Sequence, residues 1–291
     1  MDFLKFVFAK KEIYLVKYMN FDTTCAVFIS DNKYFNKFLQ SCNQLITNGN
    51  YKNDICLIIC DDLKNKNLEN NDFIKKNKII IKYFPTLRFD NNFLNIQNNL
   101  DRPNYWIKKL FQYNKFYLFH SYFKKWQYIL YIDCGMIINS DIEPILLEKT
   151  KDTLLANRDG GDFENNWFGG LKQCDQFDKE KSFFQILNNK YNLNNLTFQT
   201  TMMLYDTAII EESTFNNLCK LNLEYPISRT NDQGIISLYF TVINNKWKQI
   251  KRKNDNTYLY DYARFVDKPY IMIKTADNKW NTDNRYKGYI N

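Results

Sequence analysis

The stretch Tyr-Ile-Leu-Tyr-Ile-Asp-Cys-Gly, residues 128–135, decides the fold class of this chain. Residues 128–132 form a short apolar run, which is typical of a strand buried on both faces of a sheet. Asp133 follows this run directly, and Gly135 lies two residues further on. A carboxylate and a glycine at the end of a buried strand suit a phosphate or a ribose lying against the backbone. Asp133 could equally cap the next turn, and this stretch alone leaves both interpretations open.

Apolar runs and helical patterns alternate on both sides of this stretch. Runs that predict strands occupy residues 25–30, 54–60, 79–84 and 270–273. Apolar spacing predicts helices over residues 34–46 and, as a long amphipathic stretch, 108–123. This alternation favours an α/β fold around a largely parallel sheet. Ser30, Asp61 and Asp133 then fall at the carboxyl ends of strands, where such sheets bind ligands.

Composition and charge describe a globular protein. The 291 residues are 45% hydrophobic and 17% aromatic, with only 8 Gly and 5 Pro, which excludes disordered, collagen-like and low-complexity classes. The net charge of +8 comes from 40 basic and 32 acidic residues that are interleaved along the chain. This charge fits a solvated surface or a basic groove for an anionic ligand such as phosphate. No clustered basic and aromatic motif indicates nucleic acid as a partner.

Cysteine and histidine usage bears on metal binding and on location. The 7 cysteines form no Cys-x-x-Cys pair and His120 is the only histidine, which makes a zinc site with Cys and His ligands improbable. Reduced thiols suit the cytoplasm, including that of a host cell, or the interior of a virion. No run reaches the length of a membrane span, and Lys10, Lys11 and Glu12 interrupt any signal-peptide core. We therefore expect a soluble protein with an N-terminal extension over residues 1–20 and one domain over residues 21–291.

Two motifs nearer the C-terminus add polar side chains. Asp232 and Gln233 stand just ahead of an apolar helix, where they could cap that helix or face a polar substrate such as a sugar. Lys279 and Trp280 follow the strand predicted at residues 270–273. The lysine could balance a diphosphate, or its stem could simply lie over the tryptophan ring. Half of the glycines lie at positions 160, 161, 169 and 170, in either a flexible loop over a site or an ordinary surface connection.

Taken in order, these motifs resemble the family 8 glycosyltransferases, the glycogenin-like and galactosyltransferase-like enzymes with the Rossmann-like GT-A fold. The resemblance covers residues 25 to 280, approximately. The first strand and its polar turn, Val-Phe-Ile-Ser-Asp-Asn-Lys-Tyr at residues 27–34, match the donor-binding opening of the family and include Phe28 and Ser30. Tyr34 matches the residue that stacks on uracil. The family fold is a mostly parallel sheet flanked by helices, with the donor half ending near residue 155 and the acceptor side following.

The same resemblance implies roles for residues further along the chain. Lys115 matches a contact to the donor phosphate or sugar, and Asp133 matches the first carboxylate of the Asp-x-Asp signature, here continued by Cys134 and Gly135. Asp159 ends a segment, Ala-Asn-Arg-Asp, similar to the one that touches the donor sugar. Gln199 lies in Phe-Gln-Thr-Thr, which resembles the Phe-Asn-x-Gly strand. Asp232 and Gln233 match the Asp-Gln-Gly turn near the transferred sugar and are the catalytic candidates, and Lys279 matches the lysine of a C-terminal Lys-Pro-Trp.

Departures from the family concern its metal site. The second carboxylate of Asp-x-Asp is Gly135, and the position of the metal-binding histidine falls on Ile273 or Lys274. Asp133 could still hold Mn²⁺ or Mg²⁺ together with waters and a diphosphate. Lys115, Lys274 or Lys279 could instead carry the charge of the diphosphate. The chain could also have lost catalysis and only bind its ligand.

The resemblance implies transfer of a hexose or an amino-sugar from a nucleotide-sugar, in particular a UDP-sugar, with retention of configuration. The acceptor would be a hydroxyl group of a glycan, a lipid-linked sugar or a protein. The alternative is a non-catalytic protein that binds a nucleotide or carbohydrate on the same fold. A nucleotidyltransferase would instead need a glycine-rich phosphate loop, and the turn Ser-Asp-Asn-Lys at residues 30–33 contains no glycine.

Overall fold

A computed structural model describes residues 23–99, 109–159, 182–193, 195–228, 230–254, 257–262 and 270–274. The N-terminal extension, the glycine cluster at residues 160–170, Lys279 and Trp280 lie outside these ranges. The strands are β1 Thr24–Ser30, β2 Ile55–Ile59, β3 Ile80–Tyr83, β4 Tyr128–Ile132, β5 Met136–Ile138, β6 Leu154–Arg158, β7 Phe198–Asp206, β8 Trp247–Gln249, β9 Lys253–Asn254, β10 Thr257–Tyr262 and β11 Tyr270–Lys274. The α-helices are α1 Phe35–Thr47, α2 Asp72–Lys76, α3 Asn91–Asn99, α4 Glu143–Leu146, α5 Ser182–Lys190, α6 Thr214–Glu224 and α7 Asp232–Ser237.

A seven-stranded, mostly parallel sheet forms the centre of the fold, as the sequence predicts. Its strand order is β3-β2-β1-β4-β7-β6-β8, and β1 pairs in parallel with both β2 and β4. Strand β7 runs antiparallel to β4 and β6. The first residues of β7 therefore lie at the same edge of the sheet as the last residues of β4 and β6. This edge receives polar side chains from several parts of the chain.

Helices cover both faces of this sheet, and β1 shows how the core divides. Val27 and Ile29 pack into the layer that contains Phe116 and helices α6 and α7, whereas Ala26 and Phe28 pack into the layer that contains α1. Successive side chains of a strand point to opposite faces, so a strand covered on both sides is apolar throughout. The continuous apolar runs in the sequence have this origin.

A smaller sheet of four strands, in the order β5-β11-β10-β9, lies beside the first. Strand β11 pairs antiparallel with β5 and parallel with β10. Only residues 133–135 separate β4, in the central sheet, from β5, in the smaller one. The turn that begins with Asp133 is therefore one link between the two sheets, and residues 250–252, between β8 and β9, form another.

The stretch 108–123 departs from the predicted amphipathic helix. The described part consists of two 3₁₀ segments, Leu110–Phe119 and Ser121–Lys125. Every side chain from Tyr113 to Phe119 is buried, because this segment contacts β1, α6 and α7. The predicted solvent-facing stripe is wrong here, since a segment enclosed by its neighbours needs no polar face.

Candidate functional site

An ion triad lies at the carboxyl edge of the central sheet. The ammonium nitrogen Nζ of Lys115 lies 3.0 Å from Oδ1 of Asp133 and 3.4 Å from Oδ2 of Asp232. The 3₁₀ segment supplies the lysine, the residue after β4 supplies Asp133, and the first residue of α7 supplies Asp232. The side chains of Lys115, Asp133 and Asp232 are 8%, 17% and 2% exposed. Asp133 is thus the member of the triad that is most accessible to solvent.

Two hydroxyl groups complete the surroundings of the triad. Thr200, near the start of β7, donates its Oγ1 hydrogen to Oδ2 of Asp232 at 2.7 Å. Lys115 Nζ also lies 3.4 Å from both the carbonyl oxygen and Oγ1 of Thr200. The Tyr131 hydroxyl donates to Oδ1 of Asp133. Buried charges are tolerated where hydrogen bonds and an opposite charge compensate for lost hydration, as they do here.

The protonation of the triad follows from burial and from neighbouring charges. Burial lowers the pKa of Lys115, but the carboxylates of Asp133 and Asp232 outweigh this effect and raise its pKa above the usual range. Lys115 is therefore a cation at neutral pH. Burial raises the pKa of Asp232, although Lys115 and Thr200 oppose the shift. Burial, with the adjacent Asp133, also raises the pKa of Tyr131, which keeps its hydroxyl a hydrogen donor.

A second polar network adjoins the triad and centres on Asp159, the residue after β6. Oδ1 of Asp159 accepts a hydrogen bond from Nε2 of Gln199 at 3.2 Å, and Oδ2 accepts one from Nε2 of Gln233 at 3.0 Å. Oε1 of Gln233 accepts from the backbone N–H of Thr200 at 3.3 Å. Thr200 therefore touches both networks. Asp159 is partly exposed.

Asp232 and Gln233, at the start of α7, take part in the two polar networks. Neither caps the helix: the N-cap residue is Asn231, which makes no side-chain capping hydrogen bond. Their side chains instead reach Lys115 and Asp159. Gly234 permits this placement, because a Cβ atom there would lie 2.4 Å from Oγ of Ser228. The Asp-Gln-Gly motif therefore supplies side chains to both polar networks, with the glycine needed for close packing.

The turn after Asp133 is held by the first strand and by α1. Gly135 has a φ of 89°, a conformation that favours glycine, and its N–H donates to Oγ of Ser41 at 3.0 Å. The thiol of Cys134 donates to the carbonyl of Ile29 at 3.0 Å. The predicted donor-binding residues Cys134 and Gly135 thus shape the backbone of this turn. A carboxylate-bearing residue at position 135 would be strained, which gives a physical reason for glycine there.

Residues of the first strand occupy different environments. The Phe28 side chain is fully buried and its ring packs edge-on against Phe38, so it belongs to the core rather than to a surface that a donor could touch. Ser30 is also buried, and its hydroxyl donates to the carbonyl of Asp31 at 2.9 Å. Tyr34 is partly exposed at the start of α1, with its N–H bonded to Oδ1 of Asp31 at 2.8 Å. Nζ of Lys37 lies 5.0 Å from the centre of the Tyr34 ring, so a stacking base would share this ring with a cation.

The described residues do not fit a divalent metal ion held by the protein. They contain no group of three or more His, Cys, Asp or Glu side chains placed to bind a metal. Oδ1 of Asp133 already accepts from Lys115 and Tyr131, and a metal ion there would lie close to the ammonium. His120 is no substitute, because Nδ1 accepts from the N–H of Tyr122 and the ring packs against Phe84. Burial lowers the pKa of His120, an effect of its apolar surroundings.

Three residues in or next to these networks were not singled out from the sequence as candidates. Thr200 and Thr201 are polar positions in a strand that is otherwise apolar, a signal that marks the start of β7 as unusual. Tyr260 gives no such signal, because it is one of several tyrosines in Tyr-Leu-Tyr-Asp-Tyr, residues 258–262. Its hydroxyl donates to Oε1 of Gln199 at 3.0 Å and is hydrogen-bonded to Oγ1 of Thr201. Lys279 lies outside the described residues.

The fold and the edge of the sheet that carries these networks define a class: the chain has the glycosyltransferase fold of the GT-A type. It is similar over 91% of its length to the galactosyltransferase LgtC in complex with donor and acceptor sugar analogues, of which it covers 95%, with a TM-score of 0.57 and 12% identity. An active-site mutant of LgtC, with glutamate in place of a glutamine, gives a TM-score of 0.59 at 11% identity, over 91% of this chain and 94% of LgtC. The bifunctional glycosyltransferase WbbM gives a TM-score of 0.50 at 12% identity, over 89% of this chain but 46% of WbbM.

At these identities the similarity establishes the fold. No protein-family model matches the sequence, and comparison with curated protein sequences finds no match. No helix among the described residues is long and apolar enough to cross a membrane.

Proposed function

We propose that the chain is a family 8-like glycosyltransferase that transfers a hexose or an amino-sugar from a nucleotide-sugar, a UDP-sugar in particular. The observation that supports this most is the joining of two polar networks at the carboxyl edge of the sheet. Five separate segments contribute their side chains, which are Lys115, Asp133, Asp159, Gln199, Thr200, Asp232 and Gln233. Ligands of such sheets bind at this edge.

Charge defines the diphosphate end of the proposed site. Departure of a nucleoside diphosphate builds negative charge on its outer phosphate, and the site must stabilise that charge. Lys115 is the cation beside Asp133, where the donor approaches in this proposal. Asp133 and Asp232 flank this one ammonium, so the triad offers a diphosphate no surplus positive charge. Lys274 and Lys279 remain our candidates for the further positive charge that a diphosphate needs.

Hydrogen-bonding groups define the sugar end. Asp159 offers acceptor oxygens for sugar hydroxyls, and the amide groups of Gln199 and Gln233 hold its carboxylate in place. Asp232 and Gln233 would lie next to the transferred sugar, which makes them the candidates for catalysis. Tyr34, at the far side of the first turn, would stack on the base. Retention of configuration is our expectation for this arrangement.

We assign no step of this mechanism to a divalent ion, because the side chains of the described residues do not fit one. The acceptor in this proposal is a hydroxyl group of a glycan, a lipid-linked sugar or a protein. The acceptor side is formed by the half of the chain after residue 155, approximately.

Thermal unfolding with a panel of nucleotides tests the proposal. A ligand that binds the native state raises the midpoint, so UDP and UDP-sugars should raise it more than GDP, CMP or thymidine diphosphate. Hydrolysis of the UDP-sugar without an acceptor then tests for catalysis. Asp232→Asn should abolish hydrolysis, whereas Asp152→Asn, which changes an exposed aspartate in a surface ion pair, should not.

The outcomes separate the alternatives. A Tyr34→Ala, Asp133→Ala double variant should lose affinity for UDP in calorimetry, and an unchanged affinity would refute the proposed donor site. No midpoint shift with any nucleotide would refute the function as a whole. A shift without hydrolysis or transfer would identify a protein that only binds nucleotides or carbohydrates.

A further inference from the structure

Tyr260 reaches the proposed sugar end of the site from the smaller sheet. It lies on β10, its side chain is 1% exposed, and its hydroxyl contacts Gln199 and Thr201 at the start of β7. Both of those residues belong to the central sheet. A buried tyrosine hydroxyl normally finds a hydrogen-bond partner, but here its partner is an amide that itself contacts Asp159. Tyr260 therefore contacts Gln199, which in turn contacts Asp159, the side chain proposed to bind the sugar.

The two ends of the Gln199 amide are not equivalent, and Tyr260 distinguishes them. The Tyr260 hydroxyl donates to Oε1 of Gln199, which turns Nε2 toward the carboxylate of Asp159. A rotated amide would place an oxygen against the carboxylate, and two acceptors repel each other. Gln233 adds the second N–H to Asp159 and is oriented by the backbone N–H of Thr200. The hydrogen bonds therefore run in one direction, from Tyr260 and Thr200 to Asp159.

We propose that Tyr260 is a positioning residue that acts through Gln199 to orient Asp159 toward the hydroxyl groups of the donor sugar. This inference rests on the proposed function and deepens it. A carboxylate held by two amide donors accepts hydrogen bonds from hydroxyl groups, so the ligand class is a sugar with free hydroxyls at this position. Tyr260 is not one of the residues predicted to contact the base or the diphosphate. Its loss should therefore weaken binding of the sugar and leave binding of UDP alone unchanged.

The test compares UDP-glucose and UDP-galactose with UDP alone in calorimetry, using the whole chain. For the UDP-sugar that the parent binds more tightly, Tyr260→Phe should raise Kd about tenfold, because a misoriented Asp159 would lose about one hydrogen bond to a sugar hydroxyl, about 1.4 kcal/mol. The Kd for UDP should stay within about twofold of the parent, since a hydroxyl that does not contact the nucleotide adds no differential binding energy. Tyr51→Phe is the matched control, because it also removes a buried hydroxyl, bonded to the carbonyl of Thr24 at the other end of β1. It should change neither affinity.

A double-mutant cycle tests whether Tyr260 acts through Gln199. In a Gln199→Met background, Tyr260→Phe should cause no further loss of UDP-sugar affinity, because the amide that it orients is absent. Equal losses in the two backgrounds would overturn the inference, as would equal losses of UDP and UDP-sugar affinity in Tyr260→Phe. A parent chain that binds neither UDP nor either UDP-sugar would overturn the proposed function and this inference with it. If the parent and Tyr260→Phe bind the UDP-sugar equally tightly, the inference about Tyr260 is overturned and the proposed function is not.

Discussion

A Lys115→Met substitution would leave two carboxylates in a buried site without their counter-charge. Nζ of Lys115 lies 3.0 Å from Asp133 and 3.4 Å from Asp232, and the Asp232 side chain is almost completely buried. Removing one partner from a buried ion pair costs about 3–5 kcal/mol, because the remaining charge is neither hydrated nor paired. Methionine keeps most of the length of the lysine stem, so the loss reports charge more than packing. We expect the free energy of unfolding to fall by about 3 kcal/mol at pH 8.

The pH dependence of this loss identifies its cause. In the parent protein Lys115 opposes the rise in the pKa of Asp232 that burial causes, so the variant should have a still higher pKa there. A carboxyl whose folded-state pKa is raised destabilises the folded state as pH rises from its unfolded value, 3.8, through the folded value. At low pH a proton on Asp232 takes the place of the ammonium. The difference in free energy of unfolding between variant and parent should therefore be smaller at pH 5 than at pH 8, by about 1.4 kcal/mol for each tenfold loss of acidity that the substitution causes at Asp232 between those pH values.

Urea denaturation followed by the fluorescence of the 5 tryptophans measures this difference at the two pH values. Lys190→Met is the matched control, because it breaks an exposed pair, with Glu224 at 3.2 Å, and should have little effect at either pH. Adding Asp232→Asn to Lys115→Met should recover part of the stability at pH 8, since it removes one unpaired charge. Equal losses at pH 5 and pH 8, or a loss below about 1 kcal/mol at pH 8, would refute the reasoning.

Three further predictions follow from the geometry of the site. Gly234→Ala should lower the free energy of unfolding by about 1–3 kcal/mol in urea denaturation, because its Cβ would lie 2.4 Å from Oγ of Ser228; a neutral result would contradict this close packing. Gly135→Ala should lower it by about 1 kcal/mol because of the φ of 89°, and a Tm equal to that of the parent would show that the turn relaxes. The rise in Tm that UDP causes should be the same in EDTA as in Mn²⁺, since Asp133 is already bonded to a lysine; a rise seen only with Mn²⁺ would show that a metal ion binds after all.

The sequence predicts four strands of the central sheet, because a strand buried on both faces is apolar throughout. Four predicted strands, at residues 25–30, 54–60, 79–84 and 128–132, are present with small changes at their ends. The helical pattern over residues 34–46 corresponds to α1. The amphipathic helix predicted over 108–123 is wrong, since apolar residues at helical spacing also suit a 3₁₀ segment enclosed on all sides. The spacing of apolar residues indicates which positions are buried, but it does not distinguish an α-helix from a 3₁₀ helix.

The sequence predicts Asp133 as a candidate because it follows a buried strand and Asp232 because it precedes an apolar helix, whereas Lys115 is predicted only from the family resemblance. Lys115, Asp133 and Asp232 come together although 117 positions separate the first from the last. The ion pairs among them could not be predicted, because each depends on the packing of the 3₁₀ segment against α7. Phe28 belongs to the stretch that resembles the donor-binding opening of the family, but its side chain lies in the core. The sequence could not predict the proposed role of Tyr260, because that role depends on a contact between the two sheets.

The short connection between β4 and β5 has a mechanical consequence. The three residues 133–135 join the two sheets, and Asp133 is the first of them. A tilt of the smaller sheet relative to the larger one would therefore move the backbone next to Asp133, and the same tilt would change the distance between Tyr260 and Gln199. The ion triad and the sugar end would respond together to a single rotation.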